Sequence, residues 1–159
     1  MTKARLTLFL LLALTIAFAQ PTPISAGFSR ASVDALRSIN AGGWKFPASV
    51  EAHTAHQADV KAKMVRAHDA AESENDADAF IFLQRYQFVH SQNFADYISA
   101  VTAASKKLQG NDAIPRAEAQ VAKDPRFATR KRKEDACGAA LEKVLLSRMF
   151  APPAQCDIY

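Results

Sequence analysis

The chain has 159 residues, 49% of them hydrophobic and 23% charged, with 20 Lys and Arg against 16 Asp and Glu. That length suits one domain able to bury a real core. A formal net charge of +4 is too small for a chain that binds nucleic acid through its phosphates, and nucleic acid is not an expected partner.

The N-terminus reads MTKARLTLFLLLALTIAFAQ, with Lys3 and Arg5 ahead of an apolar stretch over residues 6–19. Ala17 and Ala19 are the small residues of an A-x-A cleavage site, so residues 1–19 are predicted to be a secretory signal peptide. The stretch is shorter than the about 20 residues of a bilayer crossing, and no second run of that kind follows, so no transmembrane segment is expected in the mature chain. Cleavage after Ala19 is preferred to a cut after Ala26 and removes Lys3 and Arg5, which lowers the net charge to +2. The mature protein is then expected to be exported: extracellular, or periplasmic in a Gram-negative source. No cysteine stands near the cut to take a lipid, and none of the four asparagines has Ser or Thr two places on. Residues 20–27 read as an extended spacer and residues 28–159 as a single helical domain.

Strand signals are nearly absent, and apolar residues recur at spacings of three and four, which predicts helices throughout. The first spans residues 29–40, with Val33, Leu36 and Ile39 inward and Gly42-Gly43 at its end. Trp44-Lys45-Phe46-Pro47 is a turn whose two aromatics plug one end of the core. A second helix over residues 48–72 carries a thin stripe of Val50, His53, Val60, Met64, Ala67 and Ala71, narrow enough for close packing. Residues 73–76 form a turn, with Asp76 as N-cap of a third helix over residues 77–109.

That third helix is expected to be the apolar centre of the protein. Phe80, Leu83, Tyr86, His90, Phe94, Tyr97, Ile98, Val101 and Leu108 share one face, and Ile81, Phe82, Phe88 and Val89 stand on others. Gly110-Asn111-Asp112 breaks the chain. A short helix starting near Pro115 follows, and Asp124-Pro125 opens a last helix to residue 149 with Phe127, Cys137, Leu141, Val144 and Leu145 facing the core. The fold class is all-α: a small four- to five-helix bundle.

Only two cysteines occur, and in an exported chain Cys137 and Cys156 are expected to pair. The last helix rises about 18 Å beyond Cys137, and seven extended residues cover that distance on the return. The bond staples the C-terminal tail across the helix and is worth about 3 kcal/mol in the chain-entropy picture.

Just before Cys137 stand Arg130, Lys131, Arg132 and Lys133. On a helix they point about 100° apart and ring it, with Arg130/Glu134 and Lys131/Asp135 as i,i+4 pairs and one of the four directed inward or toward a neighbour. A solvated helix is the favoured reading. The alternatives are contact with an anionic partner and proteolytic processing after Arg132.

His53, His56, Asp59 and His90 are the candidate metal ligands. If the second and third helices form an antiparallel hairpin about residues 73–76, His90 falls opposite Asp59 and about one turn from His56, a set suited to zinc or copper. The alternative is a core His90 with His53 and His56 half-exposed. The aromatics Phe80, Phe82, Tyr86, Phe88, Phe94 and Tyr97 are core residues, or line a cavity for an apolar ligand, or meet a partner protein.

The acidic turn residues Asp69, Glu72, Glu74, Asp76 and Asp78 lack the calcium-loop pattern. No nucleophile elbow, zinc-protease motif, phosphate loop or dinucleotide fingerprint occurs, so neither catalysis nor a cofactor is expected. The chain reads as an exported protein that binds a protein or cell-surface partner, with a host-directed effector among the candidates. A carrier of a small apolar ligand and a metal-binding bundle are the alternatives.

Overall fold

Serine and aspartate caps start three of the helices. Ser25 Oγ accepts from Phe28 N (3.2 Å) at the start of α1, Ala26–Ala41. Ser49 Oγ accepts from Ala52 N (3.1 Å) to open α2, Val50–Glu74. Asp124 Oδ1 accepts from Arg126 N (2.9 Å), with Pro125 in the first turn of α5, Pro125–Leu146. Between them lie α3, Ala77–Ser105, and α4, Ala113–Val121. The computed structural model of the chain describes residues 21–157. The expected signal peptide lies outside the described residues, which form an all-α bundle of five helices as the apolar spacing predicts.

Asp76 precedes α3 but makes no side-chain cap bond there. Its Oδ2 instead accepts from Ser25 N (3.3 Å), while Glu74 Oε2 accepts from Phe28 N (3.3 Å). The acidic turn thus serves the N-terminus of a different helix, supplying negative charge where the backbone N–H groups of α1 lack partners. Burial pushes the Asp76 carboxyl above its ordinary value, and the nearby Glu74 charge adds to this against the pull of the Ser25 N–H. Asn75 makes the reversal with φ +60°, a conformation asparagine tolerates.

Of the expected spacer over residues 20–27, the described residues 21–27 are a structural part of the bundle. Thr22–Pro23 is extended, but as strand β1 it pairs antiparallel with β2, Met149–Phe150, and Ile24 N donates to Arg148 O (3.1 Å). Ile24 is buried, and α1 begins three residues earlier than expected because Ser25 caps it. The other end of the chain is held by the predicted bond between Cys137 and Cys156, both buried, with Cys156 on a 3₁₀ turn over Ala154–Cys156.

α3 packs on all four other helices, as its expected central place requires, and α1 shares the centre of the first core. Phe28, Val33, Ala35, Leu36 and Ile39 are buried, with α1 packed chiefly between α2 and α5. α3 is 29 residues long, about 43 Å, against about 24 Å for the 16 residues of α1. It therefore runs past α1 and serves two cores. Leu83 and Tyr86 join Phe28, Leu36, Leu141 and Leu145, while Tyr97 and Val101 join Trp44, Val121 and Phe127 near α4. The side facing neither core is left to solvent, with Phe88 58% and Ile81 45% exposed.

α1, α3 and α5 meet at Gly138. Tyr86 Oη donates to Asn40 Oδ1 (2.7 Å), and a Cβ on Gly138 would lie 2.7 Å from Tyr86 Oη and 3.1 Å from Asn40 Nδ2. Gly138→Ala should lower stability by about 1–3 kcal/mol despite alanine's better helix propensity, because a packed interface must open to admit the methyl. Chemical denaturation checks this: the midpoint should fall with an unchanged slope.

Candidate functional site

The α2–α3 hairpin has the register expected from the turn at residues 75–76, and it brings His56, Gln57 and Val60 to one side of a cleft whose other side is Gln87, His90 and Phe94. α2 packs chiefly on α1, where its narrow residues Ala67 and Ala71 are buried, and so stands off from α3 at the His53 end. The resulting cleft holds about 670 Å³, within the usual range for a small-molecule site. Ile39, Val60, Ile98, Phe46 and Phe94 supply its apolar lining.

The third wall is the segment after α1, which Gly43 turns with φ +53°. Gly42 lets the His56 ring lie against the backbone, since a Cβ there would sit 3.1 Å from Nε2. Two carboxylates pin this segment. Phe46 N donates to Glu118 Oε1 of α4 (2.5 Å), and Trp44 Nε1 donates to Glu134 Oε1 of α5 (3.0 Å).

Glu134 is the centre of the site's polar network. It is 3% exposed and accepts from His90 Nδ1 (2.6 Å), Asn93 Nδ2 (2.9 Å) and Trp44. Burial pushes its carboxyl upward, but the hydrogen bonds from His90, Asn93 and Trp44 outweigh that and hold it below its ordinary value. An ionised carboxylate only accepts, so the proton between the two groups belongs to His90 Nδ1. This fixes the His90 ring, leaving Nε2 as its remaining nitrogen.

Glu134 was expected to pair with Arg130 on the surface. Arg130 Nη1 instead reaches Asp96 Oδ2 of α3 (2.8 Å). The sequence does carry the signal for Glu134: it stands seven residues after Phe127 and seven before Leu141, on the buried stripe of the helix. The neighbouring basic run masked that stripe by offering a partner. Elsewhere the run is solvated as expected. Lys131 Nζ meets Asp135 (2.7 Å), Arg132 donates to Thr129 Oγ1 (3.3 Å), and Arg130, Arg132 and Lys133 are exposed.

The expected metal ligands share one side of the bundle but do not form a ligand set. Asp59 accepts from Ser38 and from Lys63 Nζ (2.8 Å), and His90 Nδ1 is held by Glu134. The Phe94 ring stacks with His53 (centroids 6.0 Å apart) and with His90 (6.4 Å). Among the described residues no three His, Cys, Asp or Glu side chains are grouped to hold an ion.

The six aromatics likewise separate. Phe80 meets His68 edge-on, Phe82 packs on Phe150, and Tyr86 is core. Phe88 is exposed, while Tyr97 packs with Trp44 and Phe127. Only Phe94 of the six lines the cleft, whose α3 lining runs from Gln87 to Ser99. A shallower hollow of about 520 Å³ continues the groove toward His68 and Phe80, sharing Gln57, Val60 and Gln87 with the cleft.

Glu134→Ala leaves three donors around a buried site without their acceptor and should cost about 3–5 kcal/mol, with Glu134→Gln costing less because one carbonyl oxygen remains. The folded chain holds the Glu134 carboxyl below its unfolded value, so its contribution is complete above the ordinary glutamate value near pH 4.3 and is lost as pH falls through the folded value. Denaturation from neutral pH into that acid range should show the wild type losing stability, and Glu134→Gln losing less. Asp76, whose carboxyl is pushed up, contributes with the opposite sign in both chains and cancels in the difference. No family model, no curated protein and no solved structure matches this chain.

Proposed function

We propose that the protein is an exported binding protein that takes a small, largely apolar ligand into the α2–α3 cleft and performs no catalysis. The observation that supports this most is the cleft itself: about 670 Å³, apolar at its base, with one wall pinned by Glu118 and Glu134. A wall held by buried hydrogen bonds keeps its shape without a ligand, which lowers the ordering cost of binding. The oriented His90 would suit a general base, but among the described residues no hydroxyl donates to it.

Export is supported by the buried disulfide, a bond that persists in oxidising compartments. Cleavage after Ala26 would remove β1, the buried Ile24 and the Ser25 cap, so the fold favours the cut after Ala19. Protein recovered from a secreting host should have the mass of residues 20–159 less two hydrogens, and a cut at residue 26 or 132 would refute this assignment.

A second reading, contact with a partner protein, is favoured by Phe88 and Ile81, both exposed and one heptad apart on α3. The cleft reading is tested with 1-anilinonaphthalene and its 8-sulfonate, whose fluorescence rises in apolar sites. At least one should bind the folded chain, and Ala95→Trp, an exposed lining position, should abolish the signal without lowering stability. If neither binds, or if Ala95→Trp binds as the wild type does, the cleft is not the site.

A further inference from the structure

The ligand class can be narrowed from the charges around the cleft, given that the cleft is the binding site. Its polar lining consists of His53, His56, His90, Lys45, two glutamines and two serines, with no acidic residue, although the chain has 16 Asp and Glu. Acids on the neighbouring segments are engaged elsewhere, Glu51 with Ser49 among them. Asp59 is bonded to Ser38 and Lys63, Asp96 pairs with Arg130, and Glu118 accepts from Phe46 N. Glu134 lies behind the His90 ring with its oxygens occupied by three donors.

Of the basic groups of the cleft, His90 is held by Glu134 and His56 lies near enough to Asp59 for their charges to interact, but among the described residues Lys45 and His53 meet no carboxylate. Among the described residues Lys45 makes no ion pair, and no ring nitrogen of His53 or His56 makes a hydrogen bond, whereas Lys63, Arg126, Arg130 and Lys131 all meet carboxylates. These donors share the lining with the planar ring of Phe94, which lies 6° from parallel to His90 and 27° from parallel to His53. Donors and cations without acids, set beside a flat apolar wall, complement a molecule with an apolar planar body and one anionic group.

We infer that the cleft binds an aromatic organic anion, with the ring system against Phe94 and Phe46 and the anionic group toward Lys45, His53 and His56. The same cleft disfavours a cation, which would find no carboxylate there and would meet Lys45.

The test uses 2-naphthoate, neutral 2-naphthamide and cationic 2-naphthylmethylammonium, titrated calorimetrically into the disulfide-bonded chain. The naphthoate should bind at least about tenfold more tightly than the amide, with an advantage that shrinks as salt rises from about 0.1 M to about 1 M, and the ammonium should bind weakest. The combined substitution Lys45→Gln, His53→Gln and His56→Gln should remove the naphthoate's advantage while leaving amide binding in place. Arg132→Gln with Lys133→Gln should leave all three unchanged; a loss there would place anion binding on the basic run and overturn the inference. Equal binding of naphthoate and amide, or tighter binding of the ammonium, all blocked by Ala95→Trp, would overturn the anion preference and leave the cleft as the site. Failure of all three probes to bind would overturn both.

Discussion

Burying the Glu134 carboxylate is the interaction on which the rest of the site depends. A charge 97% removed from water is tolerable only if donors replace its hydration, and here they come from three directions: Trp44 from the segment after α1, and His90 and Asn93 from successive turns of α3. One residue of α5 therefore fixes where two other parts of the chain must lie. Removing it would disturb the cleft wall and the His90 orientation together, which is the behaviour of a network and not of separable pairs.

The cleft follows from a mismatch of lengths. α1 is short and fully engaged, so it fills the space between α2 and α5 and ends at Gly42. α2 and α3 continue past that point, and only the 42–47 segment remains to close the gap. It closes one side, with Trp44 buried against Tyr97 and Phe127, and leaves the other open. The same length difference splits the core in two.

Both ends of the described residues are tied to α5 or to the strand that follows it. β1 pairs with β2, and the disulfide joins α5 to the 3₁₀ turn, so the tail and the N-terminal segment brace each other. Glu74 and Asp76 complete this arrangement by holding the start of α1. The bracing lies around the first core, and none of its residues lines the cleft. An acid-free cleft within a chain of nearly balanced charge reflects placement: Asp59 and Asp96 meet Lys63 and Arg130, Glu118 accepts from Phe46 N, and Glu134 accepts from Trp44, His90 and Asn93.

The helices were legible from the sequence because their signals are local: apolar spacing, capping residues, and glycine or proline at the ends. The Cys137–Cys156 pair was legible by elimination, since only two cysteines exist. The hairpin register that brings His56 and His90 together also followed from a single turn and the 3.6-residue period. The partners of side chains did not follow, because they depend on which helices become neighbours. Glu134 had Arg130 one turn away, yet burial against α3 outweighed that exposed pairing, which is worth a few tenths of a kcal/mol. Asp76 stood at the start of α3 and capped α1 instead, and the histidines expected around a metal were drawn off by Glu134 and Phe94. The sequence by itself determined the helical elements, their order and the covalent staple, since each is set within a few residues or by having no alternative. The cleft, its buried carboxylate and its acid-free lining were decided only by the tertiary structure, because burial and competition among distant partners are properties of the assembled helices.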